Sequence, residues 1–445
     1  MRSHGRDHSI GRQARAAWLG VAAALLVPTL AGCGGSDADA CATAACDGML
    51  MLTIVGHDPG AVTVEGHVGV LEGDTMLTLP AGPHAITAAR VISPQTSITG
   101  QAFEGTVDRP EACVRAGATT TATVTYKLIP TSGKLWVGVG NAPDDSTMLG
   151  FSPASLAATR TAVADVAANT GGSDGFTFDR AGNIWVLGGT TADAPLARYP
   201  AALFASDGVK VPDVTIESPS FGSSIPGPKV VAFDPAGNLW VSVVAEDKVV
   251  MFTAAQVAAG GGPTATVERR GLTSPQGLAF DSAGNLWVVA HDEDTVVRID
   301  KDHLTMSGDT EDLAITALTP LPVVGGLTPI SLAFDAAGTL WVNYDGTIAA
   351  IPVADQTGTG TKMITPAIQI RTDVLTLPVG MAFDQDGGLW VAYAAGQFAR
   401  FDSSQLGASG AVAPSIIISS PDVGYASWFA VYPAPAFTPL YHKVP

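Results

Sequence analysis

The residues best able to do chemistry lie close together in one stretch of this 445-residue chain: His291, the run Asp292-Glu293-Asp294, and His303. An imidazole beside carboxylates can act as a general base, and carboxylates grouped with it, Asp345 included, can help hold a hard divalent cation such as Ca²⁺ or Mg²⁺. Two observations weigh against that chemistry. A charge run that opens a connection between strands is ordinarily a solvated turn. A hard cation also needs about six to eight oxygens, whereas Gly189, Ile330, Val379, Ala394 and Ala426 hold many of the positions that would face it. His57, His67, His84 and His442 fall elsewhere, and no Cys-x-x-Cys or Cys/His cluster suggests zinc. No phosphate-binding loop or dinucleotide glycine motif occurs, so nucleotide chemistry has no support.

A repeat positions these residues. With 50 glycines and 30 prolines the chain is poor material for helices, and with 47% hydrophobic and 14% charged residues it folds rather than staying disordered. Five segments share one pattern: GFTFDRAGNIWVLG (175–188), VVAFDPAGNLWVSV (230–243), GLAFDSAGNLWVVA (277–290), SLAFDAAGTLWVNY (331–344) and GMAFDQDGGLWVAY (380–393). A sixth, PTSGKLWVGVG (130–140), carries only the second half. The spacing between Trp136, Trp185, Trp240, Trp287, Trp341 and Trp390 is near 50 residues, with at least two strand signals per copy, which predicts the blades of a β-propeller.

Within each copy an Ala-Phe strand reaches Asp, and Gly-Asn or a variant starts the return strand, as a tight hairpin demands. Asp179, Asp234, Asp281, Asp335 and Asp384 therefore read as turn residues rather than as catalytic carboxylates, and the tryptophans as packing between blades. The segment 424–435 supplies an opening strand without a return strand, while the 130–140 copy lacks an opening strand. Together they complete one blade and leave no open edge, giving six blades, or seven if 124–129 opens its own. Recognition then belongs to residues that do not repeat, at the mouth where inner strands begin: Asp174, Lys229, Gln276, Ile330, Val379 and Ala426 in one column, and His291 and Asp345 in another. Of these Asp174, Lys229, Gln276, His291 and Asp345 are the candidate ligand-binding residues.

Upstream, 48–130 reads as short alternating strands, with Val62 and Val64, Leu77 and Leu79, and Val124, Tyr126 and Leu128 each on one face: a small β-sandwich that serves as a spacer. Residues 1–32 read as an export signal, with four arginines before an apolar run too short and Pro-interrupted to span a membrane. Residues 33–47, rich in Gly, Ser, Ala and Asp, form a tether. An oxidising compartment implies one disulfide among Cys41, Cys46 and Cys113, and Cys46 with Cys113 is the favoured pair because both flank the same β-domain. The formal charge of −18, with no basic cluster, excludes a nucleic-acid partner.

Two resemblances add to this. Leu30-Ala31-Gly32-Cys33 resembles the lipobox of bacterial lipoproteins, which implies a lipid on Cys33; with Gly34 and Gly35 following, the resemblance implies the outer membrane. The repeat, clearest at 275–290, resembles the NHL repeat and more distantly the repeats of streptogramin lyases and gluconolactonases. That implies a β-propeller over 131–445. The fold hosts binding and catalysis alike, so the leading expectation is a binding or scaffold module for a protein, glycan or small ligand. The alternative is a metal-assisted lyase or lactone hydrolase using His291, Asp292 and Asp345.

Overall fold

The computed structural model describes residues 46–443, except 58, 94–98, 141–146, 189–194, 225, 310–311, 318–327, 345–346 and 372–376. Cys33, Cys41 and Asp345 therefore lie outside the described residues.

The N-terminal strands form two sheets. One runs in the order Thr75–Pro80, Asp47–Val55, Thr119–Leu128, Gln101–Val107 and Val91–Ser93, and the other in the order Val62–Val64, Gly82–Ala88 and Glu111–Val114. Period-2 alternation drives Leu50, Leu52, Val62, Val64, Leu77, Leu79, Ile86, Val124 and Tyr126 into one shared apolar cluster. Leu128, expected on that face, is 41% exposed where its strand runs out. Cys46 and Cys113 are both disulfide-bonded. The Cys46 carbonyl accepts from Ala81 N at 3.0 Å, and Cys113 stands opposite Pro83.

Among the described residues from Lys134 onward, the strands build six four- or five-stranded sheets. Their inner strands, Phe176–Phe178, Pro228–Phe233, Pro275–Phe280, Pro329–Phe334, Pro378–Phe383 and Tyr425–Tyr432, touch one another in cyclic order, the last meeting the first. The C-terminal strand Tyr425–Tyr432 pairs antiparallel with Lys134–Gly140, so the two ends of this region share a sheet. Its register corrects the sequence alignment. Ala426 stands opposite Val139 as Pro228 stands opposite Val243, which puts Ser427 rather than Ala426 beside Asp174, Lys229 and Gln276 in their column.

The repeated residues hold this arrangement. Asp281 Oδ1 accepts from the backbone of Ala283 and Asn285, both at 2.9 Å, while Oδ2 accepts from Asn285 Nδ2 at 2.8 Å and from the Trp287 indole N–H at 3.0 Å. The aspartate thus fixes its turn and also orients the tryptophan, which packs edge-on against the phenylalanine of the next sheet. Trp185–Phe233, Trp240–Phe280, Trp287–Phe334 and Trp341–Phe383 all lie 6.0–6.4 Å apart, inside the aromatic pairing range. Where Gly388 replaces the turn asparagine, Arg400 takes its place on Asp384 at 2.6 Å, in space a Cβ at 388 would occupy.

Candidate functional site

The Asp-turn mouth of the ring is partly covered, with a cleft of ≈ 650 Å³ left between Arg90, Arg180, Pro235, Asp281 and the chain end. Arg90 of the N-terminal module donates to Tyr432 OH at 2.8 Å and to the Arg180 carbonyl of the first Asp turn. Gln385 of the last Asp turn donates to the Pro433 carbonyl at 3.2 Å. The chain end then runs under the ring. The His442 ring sits 5.5 Å from Phe178 and 6.2 Å from Tyr432, and Tyr441 lies 5.0 Å from Phe233 with Arg180 stacked 4.4 Å above it. Burial pushes His442 down to about 4, against backbone hydrogen bonding to Val431 and Phe178. Above this plug lies an axial cavity of ≈ 90 Å³ with Phe176, Phe233, Phe280, Phe334, Phe383 and Trp428 among its lining residues. Such a lining favours a dry void over an ion site.

The opposite mouth carries the non-repeated polar residues. Asp174 and Lys229, on neighbouring inner strands, lie 3.6 Å apart with side chains 15% and 35% exposed. Gln276 follows on the next inner strand, half-buried. Beyond it, half-buried His291 reaches to the adjacent sheet, its Nδ1 2.8 Å from the Pro329 carbonyl. A carbonyl can only accept, so Nδ1 carries the hydrogen and Nε2 is left as an acceptor or proton-accepting atom. Asp292 and Glu293 are exposed in a one-turn 3₁₀ segment, with Glu293 holding Thr273.

His303 does not join this group. It stands beyond the far end of the strand Thr295–Ile299, where its Nδ1 meets Asp312 at 2.7 Å. A five-residue strand at about 3.3 Å per residue separates the two imidazoles by well over a ligand radius. Among the described residues no three His, Cys, Asp or Glu side chains come together as a metal site would require. The residues present therefore do not fit the Ca²⁺ or Mg²⁺ expected of a lyase or lactonase channel; Asp345 falls outside this comparison.

Several residues of this mouth escape sequence reasoning. Trp428, half-buried on the closing strand, packs against the cluster around Phe176 and Phe178 and also against the cluster around Val230 and Leu278 across the ring. Its position was hidden because the closing strand lacks the Asp-Gly turn that aligns the other inner strands, whose bulge it shares. Asn343 is fully buried; its Oδ1 accepts from Ser331 N at 2.6 Å, while Asn343 Nδ2 and Ser331 Oγ have no protein partner. Tyr344 and Tyr393 are likewise buried with unpartnered hydroxyls, and burial raises the pKa of both.

No family model matches the chain, and no curated protein matches it. Solved structures do resemble it at low identity. Virginiamycin B lyase from Staphylococcus aureus is 16% identical over 52% of this chain and 66% of that one, with a TM-score of 0.33, so the chain spans slightly under two thirds of that lyase's length. The extracellular domain of a putative hybrid two component system from B. thetaiotaomicron is 15% identical over 62% of this chain and 34% of that one, with a TM-score of 0.39. A functionally unknown protein from Desulfotomaculum acetoxidans is 12% identical over 84% of this chain and 98% of that one, with a TM-score of 0.43. What this chain shares with such propeller-like structures is an all-β build of four- and five-stranded sheets.

Proposed function

We propose that this chain is an outer-membrane lipoprotein whose C-terminal region, 131–445, is a six-bladed propeller used as a binding module for a protein, glycan or small ligand. In this reading residues 1–32 are removed on export and Cys33 carries the lipid. Residues 33–47 are the tether, and a sandwich over 48–130, stapled by Cys46–Cys113, raises the propeller from the membrane. Without 1–32 the chain has 19 basic and 40 acidic residues, a net charge of −21, so an anionic surface repels it. The observation that carries the binding reading is the difference in make-up of the two mouths: among the described residues, one consists of repeated Asp turns packed by the N-terminal module and the chain end, and the other carries the non-repeated Asp174, Lys229, Gln276 and His291.

Two measurements test it. Fatty-acyl labelling should disappear in Cys33→Ser, and the variant should leave the outer-membrane fraction; a labelled variant still in that fraction overturns the anchor. Hydrogen exchange of the purified chain, with and without soluble envelope glycans and peptides, should show protection at 173–176, 273–276 and 291–294. Protection confined to the Asp-turn mouth overturns the choice of face.

One observation favours the enzyme reading: the fixed tautomer of His291 leaves Nε2 as a base at the open mouth. Elemental analysis of the purified chain separates the two readings. A stoichiometric Ca²⁺ or Mg²⁺ that is lost in His291→Ala favours a metal-assisted lyase or lactone hydrolase.

A further inference from the structure

We infer that the mouth where the inner strands begin holds an uncharged sugar ring stacked on Trp428, with its hydroxyls held by the Asp174–Lys229 pair and Gln276; this rests on the reading of that mouth as the binding face.

The register of the inner strands defines the site in levels. Phe176, Val231, Leu278, Leu332, Met381 and Phe429 each stand opposite the residue that follows the repeated tryptophan. One step toward the open mouth the residues are Gly175, Val230, Gly277, Ser331, Gly380 and Trp428. The glycines let adjacent inner strands close up at this level: a Cβ on Gly175 would lie 2.2 Å from the Lys229 carbonyl oxygen, and one on Gly277 would lie 3.0 Å from Ser331 Cα. Into this narrow level projects one large side chain. Trp428 belongs to the closing sheet yet packs both against the cluster that holds Phe176 and against the cluster that holds Val230 and Leu278, and it lines the axial cavity, which sets its indole toward the axis.

The next level outward is the rim: Asp174, Lys229, Gln276, Ile330, Val379 and Ser427. It is polar over one arc and aliphatic over the other. A pyranose has the same division, with an apolar C–H face and a belt of hydroxyls that both donate and accept. An indole presents a flat apolar surface to the first. A carboxylate, an ammonium and an amide offer both kinds of hydrogen-bonding group to the second. The charges of Asp174 and Lys229 cancel, and the chain as a whole is at −18, so nothing in this rim favours a phosphate, sulfate or carboxylate on the ligand.

The test is saturation-transfer NMR and titration of the purified full-length chain with methyl glycosides of glucose, galactose, mannose and N-acetylglucosamine. Glucose 6-phosphate and N-acetylneuraminic acid serve as anionic probes, and a pool of capped neutral hexapeptides as peptide probe. At least one neutral glycoside should bind, with affinity falling about tenfold or more in Trp428→Ala, by about threefold in Gln276→Ala, and hardly at all in Trp428→Phe. Should Trp428→Ala not fold, Trp428→Phe and Gln276→Ala carry the comparison. The inference is overturned if no neutral glycoside binds, if the anions bind in preference, or if binding ignores Trp428 and Gln276. Peptide binding that is lost in Lys229→Ala would sink the sugar and leave the mouth standing. Binding of any probe that every mouth variant leaves unchanged would sink both.

Discussion

The two mouths of the ring are built from the same strands but by opposite rules. At the Asp-turn mouth the same residues recur sheet after sheet, each aspartate tied to its own turn and tryptophan, and Arg90, Pro433 and the chain end then pack against part of that surface. At the other mouth the strand positions are equivalent but the residues are not: aspartate, lysine, glutamine, isoleucine, valine and serine occupy one column. Symmetry is cheap to maintain where every sheet needs the same turn, whereas recognition requires different groups at different places. In the proposed reading, the repeated mouth serves stability and the unrepeated one recognition.

The harshest way to break that comparison is to remove what closes the ring. A chain ending before Gly424 loses the strand Tyr425–Tyr432, with buried Phe429, Val431 and Tyr432, and leaves Lys134–Gly140 with an unpaired edge. It also loses the plug at the Asp-turn mouth. We expect no cooperative thermal transition and aggregation through the open edges. A truncated chain that melts like the full one would mean that the ring does not depend on closure.

Much of this was legible in the sequence because repetition is self-checking. Five copies of Phe-Asp before Gly and Trp, four of them preceded by Ala, reinforce one another, and the incomplete copies at 130–140 and 424–435 complement each other. What stayed hidden was whatever departs from the repeat by structure rather than by residue type. The bulge between Ala426 and Trp428 recurs in four other inner strands, but the closing strand has no Asp-Gly turn after it to fix the alignment, so Ser427 and Trp428 were not placed at the rim and the level below it. The plug formed by Tyr441 and His442 has no repeat signature at all. Arg400 replacing a turn asparagine became intelligible only once it was seen on Asp384.

The Asp turns can be compared within one molecule. In Asp384→Ala the Arg400 guanidinium, 9% exposed, would lose its buried carboxylate and keep only the more exposed Asp402 and Asp386, so we expect a loss of about 3 kcal/mol in chemical denaturation. Asp281→Ala removes four accepted hydrogen bonds but strands no cation, and should cost about 2 kcal/mol. Equal losses would show that the arginine is idle. Loss of ligand binding at full stability in either variant would invert the assignment of the two mouths.

The plug makes the covered mouth sensitive to acid. His442 titrates near 4 in the folded chain against an ordinary 6.5, because burial disfavours the imidazolium. A base depressed in this way stabilises the fold above its unfolded value, and that contribution is lost as the pH falls from about 6.5 to about 4, where the unfolded chain takes up the proton first. The difference corresponds to roughly 3 kcal/mol. Melting temperature against pH should therefore drop over this window in the native chain and drop less in His442→Phe, which keeps the ring against Phe178 and Tyr432 but cannot be protonated. Parallel profiles would remove His442 from the plug's energetics.

The smallest expected effect on stability is the one that sharpens the comparison most. Lys229→Ala removes a partly exposed ion pair at 3.6 Å, a contact that contributes about 0–1 kcal/mol at most surfaces. His291→Ala loses one hydrogen bond to Pro329 from a half-buried ring, on the order of 1 kcal/mol. Because the two sites lie on different sheets without shared partners, the double variant should fall short of single-variant additivity by no more than a few tenths of a kcal/mol. Its melt should therefore stay within a few degrees of the native chain while ligand binding at that mouth collapses. If instead the double variant unfolds like Asp384→Ala and still binds, the unrepeated mouth is structural, and the argument from broken symmetry fails for this ring.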